Sequence, residues 1–307
     1  METGIHIKDT EENLTEIGDK AIEDKAVGDK AVGEAGESPS FSEEKEPLLL
    51  MGKKRIRLTV AYDGTNYSGW QLQPNGITIE EVLNRELSRL LSEEIKVIGA
   101  SRTDAGVHAL GNIAVFDTVT RIPAEKISYA MNTRLPEDIR IRKSEEVAIS
   151  FHPRHCDSEK TYEYMIWNHS FANPLLRLYS KFCYYSLDIP AMQKAADVLV
   201  GTHDFQSFCS AGSQAETTVR TVTGITVERD PKEPCIVRIR VKGKGFLYNM
   251  VRIISGTLLE IGMGLKKPEE MEKILAACDR SKAGPTAEAK GLTLVGIRFT
   301  EESLEGI

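Results

Sequence analysis

One feature constrains this 307-residue chain more than any other: from residue 55 to residue 299 the same succession of strand-type and helix-type periodicities runs through twice. Residues 55–62 alternate, with Ile56, Leu58, Val60 and Tyr62 on one face, which predicts a half-buried strand. Thr78-Ile79-Glu80-Glu81 has the form of a helix-opening capping box. Ile79, Val82, Leu83, Leu87, Leu90 and Leu91 follow it at helical spacing. Residues 95–101 and 112–117 are apolar runs joined by a glycine-containing loop, hence two further strands. Pro123 opens a second helix that runs to about Asn132, and residues 139–147 supply a last strand. The order is βαββαβ, the ferredoxin-like motif.

The second half repeats it. Strands are predicted at 160–167, 221–228, 236–242 and 292–299, with helices at 190–200, 246–261 and 268–278. The expected fold is therefore α+β. Two ferredoxin-like βαββαβ halves meet edge to edge in an extended antiparallel sheet, with helices on one side and a cleft open to a ligand. The halves are expected to be an N-terminal domain, 51–152, and a C-terminal domain, 153–307.

Residues 1–50 do not fit that pattern. They contain an Asp-Lys-Ala pentad repeat from Asp19 to Gly33, a period matching neither helix nor strand, and almost no aromatics. Too little apolar surface is available there to offset the entropy of ordering, so a disordered acidic tail is expected. The tail also distorts the charge of the whole. The chain carries −7, but residues 1–50 hold 14 acids against 5 bases, leaving 32 acids against 34 bases in the rest. The body is thus mildly basic, at +2.

Five widely spaced cysteines, with no Cys-x-x-Cys pair, argue against a disulfide framework and against a zinc site. The start of the chain has no basic segment leading into an apolar core, and no run reaches membrane-spanning length. A cytoplasmic protein with no membrane partner is expected. No metal-ligand cluster, Walker loop or dinucleotide fingerprint is present either, so no cofactor is expected.

The chemistry is concentrated in Gly99-Ala100-Ser101-Arg102-Thr103-Asp104-Ala105-Gly106-Val107-His108-Ala109. Asp before a small residue and Gly is an ordinary turn. Here, however, Arg102 stands two residues away, the loop is long for a plain hairpin, and rigid strands hold it on both sides, which is where functional residues gather. Two basic rows stand out elsewhere. Lys53, Lys54, Arg55 and Arg57 cluster at the first strand, and Arg238, Arg240 and Lys242 alternate along another. A charge row at a sheet edge is often merely solvated; in a chain with the Asp104 loop, the two are read as a track for phosphates.

The stretch from Arg102 to Ala109 resembles the signature of the TruA family of pseudouridine synthases. Tyr62-Asp63-Gly64-Thr65-Asn66-Tyr67-Ser68-Gly69-Trp70-Gln71 is similar to the family's opening motif, and Lys160-Thr161-Tyr162-Glu163-Tyr164 to its second. His203 to Phe208, Phe246-Leu247-Tyr248-Asn249-Met250-Val251-Arg252, Ala283 to Ala287 and Gly291-Leu292 agree with the C-terminal half. The resemblance runs in order from about residue 54 to residue 300 and leaves the acidic tail aside. Glu288 and Thr293 depart from it, standing where many members carry a proline and an aromatic residue.

The resemblance implies that Asp104 is the nucleophile in the isomerisation of uridine to pseudouridine in tRNA. The implied targets are positions 38 to 40 of the anticodon stem–loop, and the implied assembly is a homodimer. A carboxylate can attack either the ribose or the base, and the residues do not separate the two. To act, Asp104 must stay ionised in a closed pocket, and Arg252 is implied as its ionic partner. Tyr162, one of a stripe with Tyr164 and Ile166 that reads equally as core, is implied as the ring that stacks on the target base. Arg102 is implied to fill the gap left by the flipped base, with Thr103 beside it. His108 is either a further RNA contact or a plain polar group. Leu292 either lines the pocket or packs the core, as does Leu294. Two rivals remain: a non-catalytic RNA-binding ferredoxin-like module and a base-excising hydrolase.

Overall fold

The computed structural model describes residues 52–300. The acidic segment 1–50 and its pentad repeat lie outside the described residues. In chain order the strands are β1 (Lys54–Tyr62), β2 (Ile98–Gly99), β3 (His108–Thr118), β4 (Ile139–Val147), β5 (Ser158–Asn168), β6 (Lys181–Cys183), β7 (Gly201–Asp204), β8 (Val219–Arg229), β9 (Ile236–Gly243) and β10 (Leu292–Phe299). The helices are α1 (Ile79–Leu91), α2 (Ala124–Asn132), α3 (Ile189–Asp197), α4 (Met250–Gly262) and α5 (Glu270–Ala277).

All ten strands belong to one sheet, in the order β4-β1-β3-β10-β5-β9-β8-β7, with β2 on β3 and β6 on β5. Both halves of the pattern are recognisable. β4-β1-β3-β2 and β10-β5-β9-β8 each have their fourth strand beside their first and their third inside, as a ferredoxin-like unit requires. They join where β10 lies parallel to β3, pairing Thr293 with His108 and Leu294 with Ala109. β2 uses the remainder of that same β3 edge, at Val115 and Ala114. Sharing one edge between two partners explains why β2 keeps only two residues of the longer strand expected at 95–101.

Alternation decides which face is covered. Ile56, Leu58 and Val60 of β1, Tyr162, Tyr164 and Ile166 of β5, and Val237, Ile239 and Val241 of β9 are buried in one core. Ile79, Leu83 and Leu87 of α1, Ile127 and Met131 of α2, Met192 of α3, Ile253 and Ile254 of α4 and Met271 of α5 complete it. The helices therefore cover one face of the sheet. The capping expectation holds for α1, where the Glu81 N–H donates to Thr78 Oγ1 at 3.3 Å.

Several boundaries differ from the sequence reading, and two short strands are additional. α4 begins at Met250, four residues later than expected, because Asn249 adopts a left-handed conformation (φ 60°) that separates Phe246 to Tyr248 from the helix. α3 ends at Asp197, and Gly201 starts β7, an edge strand too short to leave a periodicity. β6 leaves none either, being only three residues long. No helix among the described residues is long and apolar enough to cross a membrane.

Candidate active site

The Asp104 loop runs between β2 and β3 and is tied down on several sides. The Ala100 N–H donates to Ile113 O (2.7 Å), the Trp70 N–H to Thr103 O (3.0 Å) and the Gly106 N–H to Tyr67 O (3.3 Å). The Asn112 side chain, wholly buried, donates to Ser101 O at 3.0 Å. The Tyr62 and Thr103 hydroxyls are hydrogen-bonded at 2.8 Å. Residues 62–71 thus act as a splint for the loop. Gly69 in that splint has φ +89°, and a Cβ there would stand 2.6 Å from Thr103 O, so a side chain would push the loop away.

Arg252 lies in the first turn of α4 and is held from both sides. Its Nε donates to Ala287 O at 2.8 Å and its Nη1 to Asn249 Oδ1 at 2.7 Å. The segment carrying Ala287 reaches this position because α4 has a glycine where it passes: a Cβ on Gly256 would be 1.8 Å from Pro285 O. From that seat Nη1 approaches Asp104 Oδ2 at 3.4 Å. The contact is single and long, so desolvation outweighs it and the Asp104 carboxyl titrates above the usual range, with Arg252 pulling it back.

Tyr162 projects from β5 beside them. Its hydroxyl is 2.8 Å from Ser101 Oγ, and its ring meets Phe246 edge-on with centroids 5.3 Å apart. Burial first, offset in part by Ser101 and reinforced by the Asp104 charge, pushes its phenol up to about 12. It is therefore a neutral donor or acceptor near neutrality, not a phenolate.

These groups surround a cleft of about 730 Å³. Asp104, Tyr162, Arg252, Arg102, Thr103 and Leu292, six of the residues singled out from the sequence, line it. His108 does not. It is buried, with Nε2 3.1 Å from Leu178 O and 3.2 Å from Lys290 O, and Nδ1 3.1 Å from the Gly64 N–H and 3.0 Å from Asp63 Oδ1. Its ring ties three separate segments together behind the loop. Leu294 also stays in the core, completely buried.

The arginines of the two basic rows need correction as a phosphate track, because acidic residues already pair with them. Arg238 and Arg240 occupy the face of the sheet opposite Tyr162, since β9 pairs Val241 with Tyr162 and Arg240 with Glu163. Arg240 bonds Glu163 at 2.7 Å, and Arg238 reaches both Glu163 and Asp230. Arg55 forms a two-pronged pair with Asp117, and Arg57 bonds Glu145 at 2.9 Å. A single strand shows that charges alternate with apolar residues, but not that a neighbouring strand supplies their counter-ions.

What the sequence reading missed is the set of cations inside the cleft: Arg154, Lys160, Arg220 and Lys244. One signal was available. The parity that placed Tyr162, Tyr164 and Ile166 on a common face also places Lys160 there. Asn249, the Arg252 brace, carried no signal, because its role depends on a left-handed backbone.

The chain matches the family described as tRNA pseudouridine synthase over residues 58–155 and 195–300. It is 46% identical over 246 residues to the tRNA pseudouridine synthase A of Acetivibrio thermocellus, covering 80% of this chain and 100% of that relative. The protein of the same name from Brevibacillus brevis is 49% identical over 241 residues, covering 78% of this chain and 98% of its own length. That of Geotalea uraniireducens is 46% identical over 246 residues, with 80% and 100% covered.

Proposed function

The chain belongs to the tRNA pseudouridine synthase family, and on that premise we propose that it isomerises uridine to pseudouridine in tRNA, with Asp104 as the nucleophile. The observation that carries this reading is the pairing of Asp104 with Arg252, 3.4 Å apart, in a cleft that also holds the Tyr162 hydroxyl. The reaction conserves every atom of the nucleotide. The bond from ribose C1′ to N1 breaks, a bond from C1′ to C5 forms, and the C5 proton leaves while N1 gains one. No oxidant, reductant or group donor enters that balance.

Asp104 starts the sequence by covalent attack, on the ribose carbon or on the base, and either route needs the ionised carboxylate. Arg252 supplies the charge that keeps it ionised against burial. Tyr162 stays protonated and stacks on the base; its hydroxyl, held by Ser101 Oγ, relays the C5 proton, passing its own to water as it takes the one from C5. Arg102, exposed at the cleft rim, fills the stack vacated by the flipped uridine. Thr103 and Leu292 shape the wall. His108 contributes by bracing the loop, which its burial supports.

The non-catalytic RNA-binding reading leaves Asp104 and Arg252, brought together in the cleft at 3.4 Å, without a role. The finer parts of the proposal are uridines 38 to 40 as targets, a homodimer as the working form, and a cytoplasmic location. These rest on the likeness to the TruA sequences.

The test is release of tritium from tRNA labelled at uridine C5, with nothing added but protein and buffer. Release with the nucleotide still in the chain supports isomerisation. Release of free uracil supports a hydrolase instead, and no release would remove the proposal.

A further inference from the structure

Among the described residues six cationic side chains line the cleft, Arg102, Arg154, Lys160, Arg220, Lys244 and Arg252, against one carboxylate, that of Asp104. They are not equivalent. Arg252 is directed at Asp104, and Lys244 reaches Asp157 at 3.1 Å. Arg154 donates to Gly99 O at 2.8 Å, and Arg220 to Thr217 O and Val219 O. Arg102 is out in solvent.

Lys160 stands apart. It shares the buried face of β5 with Tyr162, two residues along, and is itself half-buried. Its Nζ meets only the Lys244 carbonyl, at 3.4 Å, and among the described residues it forms no ion pair. Burial accordingly lowers its pKa. Withdrawing an ammonium from water without a counter-charge is unfavourable. On the opposite, open face of the same sheet the strand charges are answered, as Glu163 answers Arg238 and Arg240. A missing counter-ion at this point of the cleft is one that the substrate brings.

Lys160 is also set apart from the reacting groups. The charge acting on Asp104 comes from Arg252, and the charge acting on Tyr162 comes from Asp104. Among the described residues Lys160 has neither an ion pair nor a hydrogen bond with Asp104 or Tyr162, so it is placed to hold substrate rather than to tune the nucleophile.

We propose that Lys160 is a phosphate-binding residue of the cleft: its ammonium takes the RNA backbone phosphate beside the nucleotide that enters next to Tyr162, and so positions that nucleotide. This rests on the reading of the cleft as one that acts on tRNA. Lys160 is a positioning residue, not a catalytic one, and its effect belongs in affinity.

The experiment uses the full chain and an unmodified tRNA transcript. Binding is measured over a range of salt concentrations in the Asp104→Asn background, so that turnover does not intrude. Lys160→Met is expected to weaken binding about tenfold at low salt and to reduce the slope of log affinity against log salt by about 0.7–0.9, one phosphate contact. Lys160→Arg should recover most of both losses. With Asp104 restored, the single-turnover rate at saturating protein should fall less than the affinity does.

An unchanged salt slope would overturn the proposal. So would an arginine variant no better than methionine, which indicates packing, or a loss confined to the saturated rate. Should the methionine variant melt far below the parent, Lys160→Gln and Lys160→Arg are compared instead, and the same slope decides. Normal tritium release with an unchanged slope removes only Lys160. Absence of tritium release from the parent removes the enzymatic reading, while the binding comparison proceeds independently.

Discussion

Arg238 on β9 and Arg252 on α4 put the same side chain to different ends. Arg238 lies on the sheet face away from the helices, between Glu163 and Asp230, and its charge is answered twice over. Arg252 lies on the cleft side, where one carboxylate approaches it at 3.4 Å and five further cations share the same lining. The contrast extends to their neighbours. Arg240, Arg55 and Arg57 are paired on the open face, whereas the cleft pools positive charge. A net of +2 over residues 51–307 therefore describes neither face. Where the counter-charges sit decides where a polyanion can bind.

The largest effect should come from the one carboxylate in that pool. Asp104→Asn keeps the side chain's size but removes the nucleophilic anion, so tritium release from labelled tRNA is expected to fall by more than ~10²-fold. Affinity for tRNA should change by less than about threefold. A variant that retains more activity than this would dissociate Asp104 from the chemistry.

Next in size is the loss of its partner. Arg252→Ala leaves desolvation of Asp104 unopposed, so the carboxyl, already above its usual range, rises further. Only the ionised form reacts, so the acid limb of the single-turnover rate should move to higher pH, and the rate lost at neutrality should return as pH rises. A limb displaced by about one pH unit lowers the rate about tenfold at any fixed pH along it. Arg252→Lys should fall between Ala and wild type, since it restores charge without a guanidinium to reach both Ala287 O and Asn249. An unshifted limb together with a shallower salt dependence of binding would reassign Arg252 to phosphate contact.

Arg238→Met tests the other face. It leaves Asp230 without its guanidinium and Glu163 with Arg240 alone, which should cost about 1–2 kcal/mol of stability in a denaturant titration. Its tRNA affinity and salt slope should match wild type. A reduced slope would mean that the open face also carries RNA, and the distinction between the faces would collapse.

The smallest effect concerns stability at the site itself. The pKa of Asp104 is raised by folding, so its ionisation disfavours the fold once pH exceeds its ordinary range. In acid, where it is neutral in both states, the penalty is absent. Asp104→Asn should therefore melt at most about 2–4 °C higher than wild type near neutrality, with the gap closing in acid. A variant melting lower at neutral pH would show that Arg252 more than offsets the burial.

How far the sequence could be read depended on the distance over which each signal acts. Repeating periodicity gave both βαββαβ units, because amphipathic alternation is written locally in residues such as Ile56, Leu58 and Val60. The Asp104 loop and the Tyr162 stripe were legible for the same reason, with the family resemblance adding Arg252. The start of α4 was not legible, since Asn249 in a left-handed conformation leaves no compositional mark that separates it from a helix residue. Nor was the neutralisation of Arg238 and Arg240, because Glu163 lies on another strand some 75 residues earlier.

The sequence by itself determined the two repeated units, the loop that presents Asp104, and the separation of an acidic segment from a mildly basic body. All of these follow from the order of neighbouring residues. The tertiary structure alone decided that the final strand, β10, would slot between β3 and β5 and join the halves into one sheet. It also decided that Asp104 and Arg252, 148 positions apart, would come within 3.4 Å. Finally, it left Lys160 facing the cleft without a counter-ion among the described residues, while the arginines behind it found theirs. Strand register and facing cannot be written in one segment, because the partner that fixes them is elsewhere in the chain and is chosen by burial of the common core.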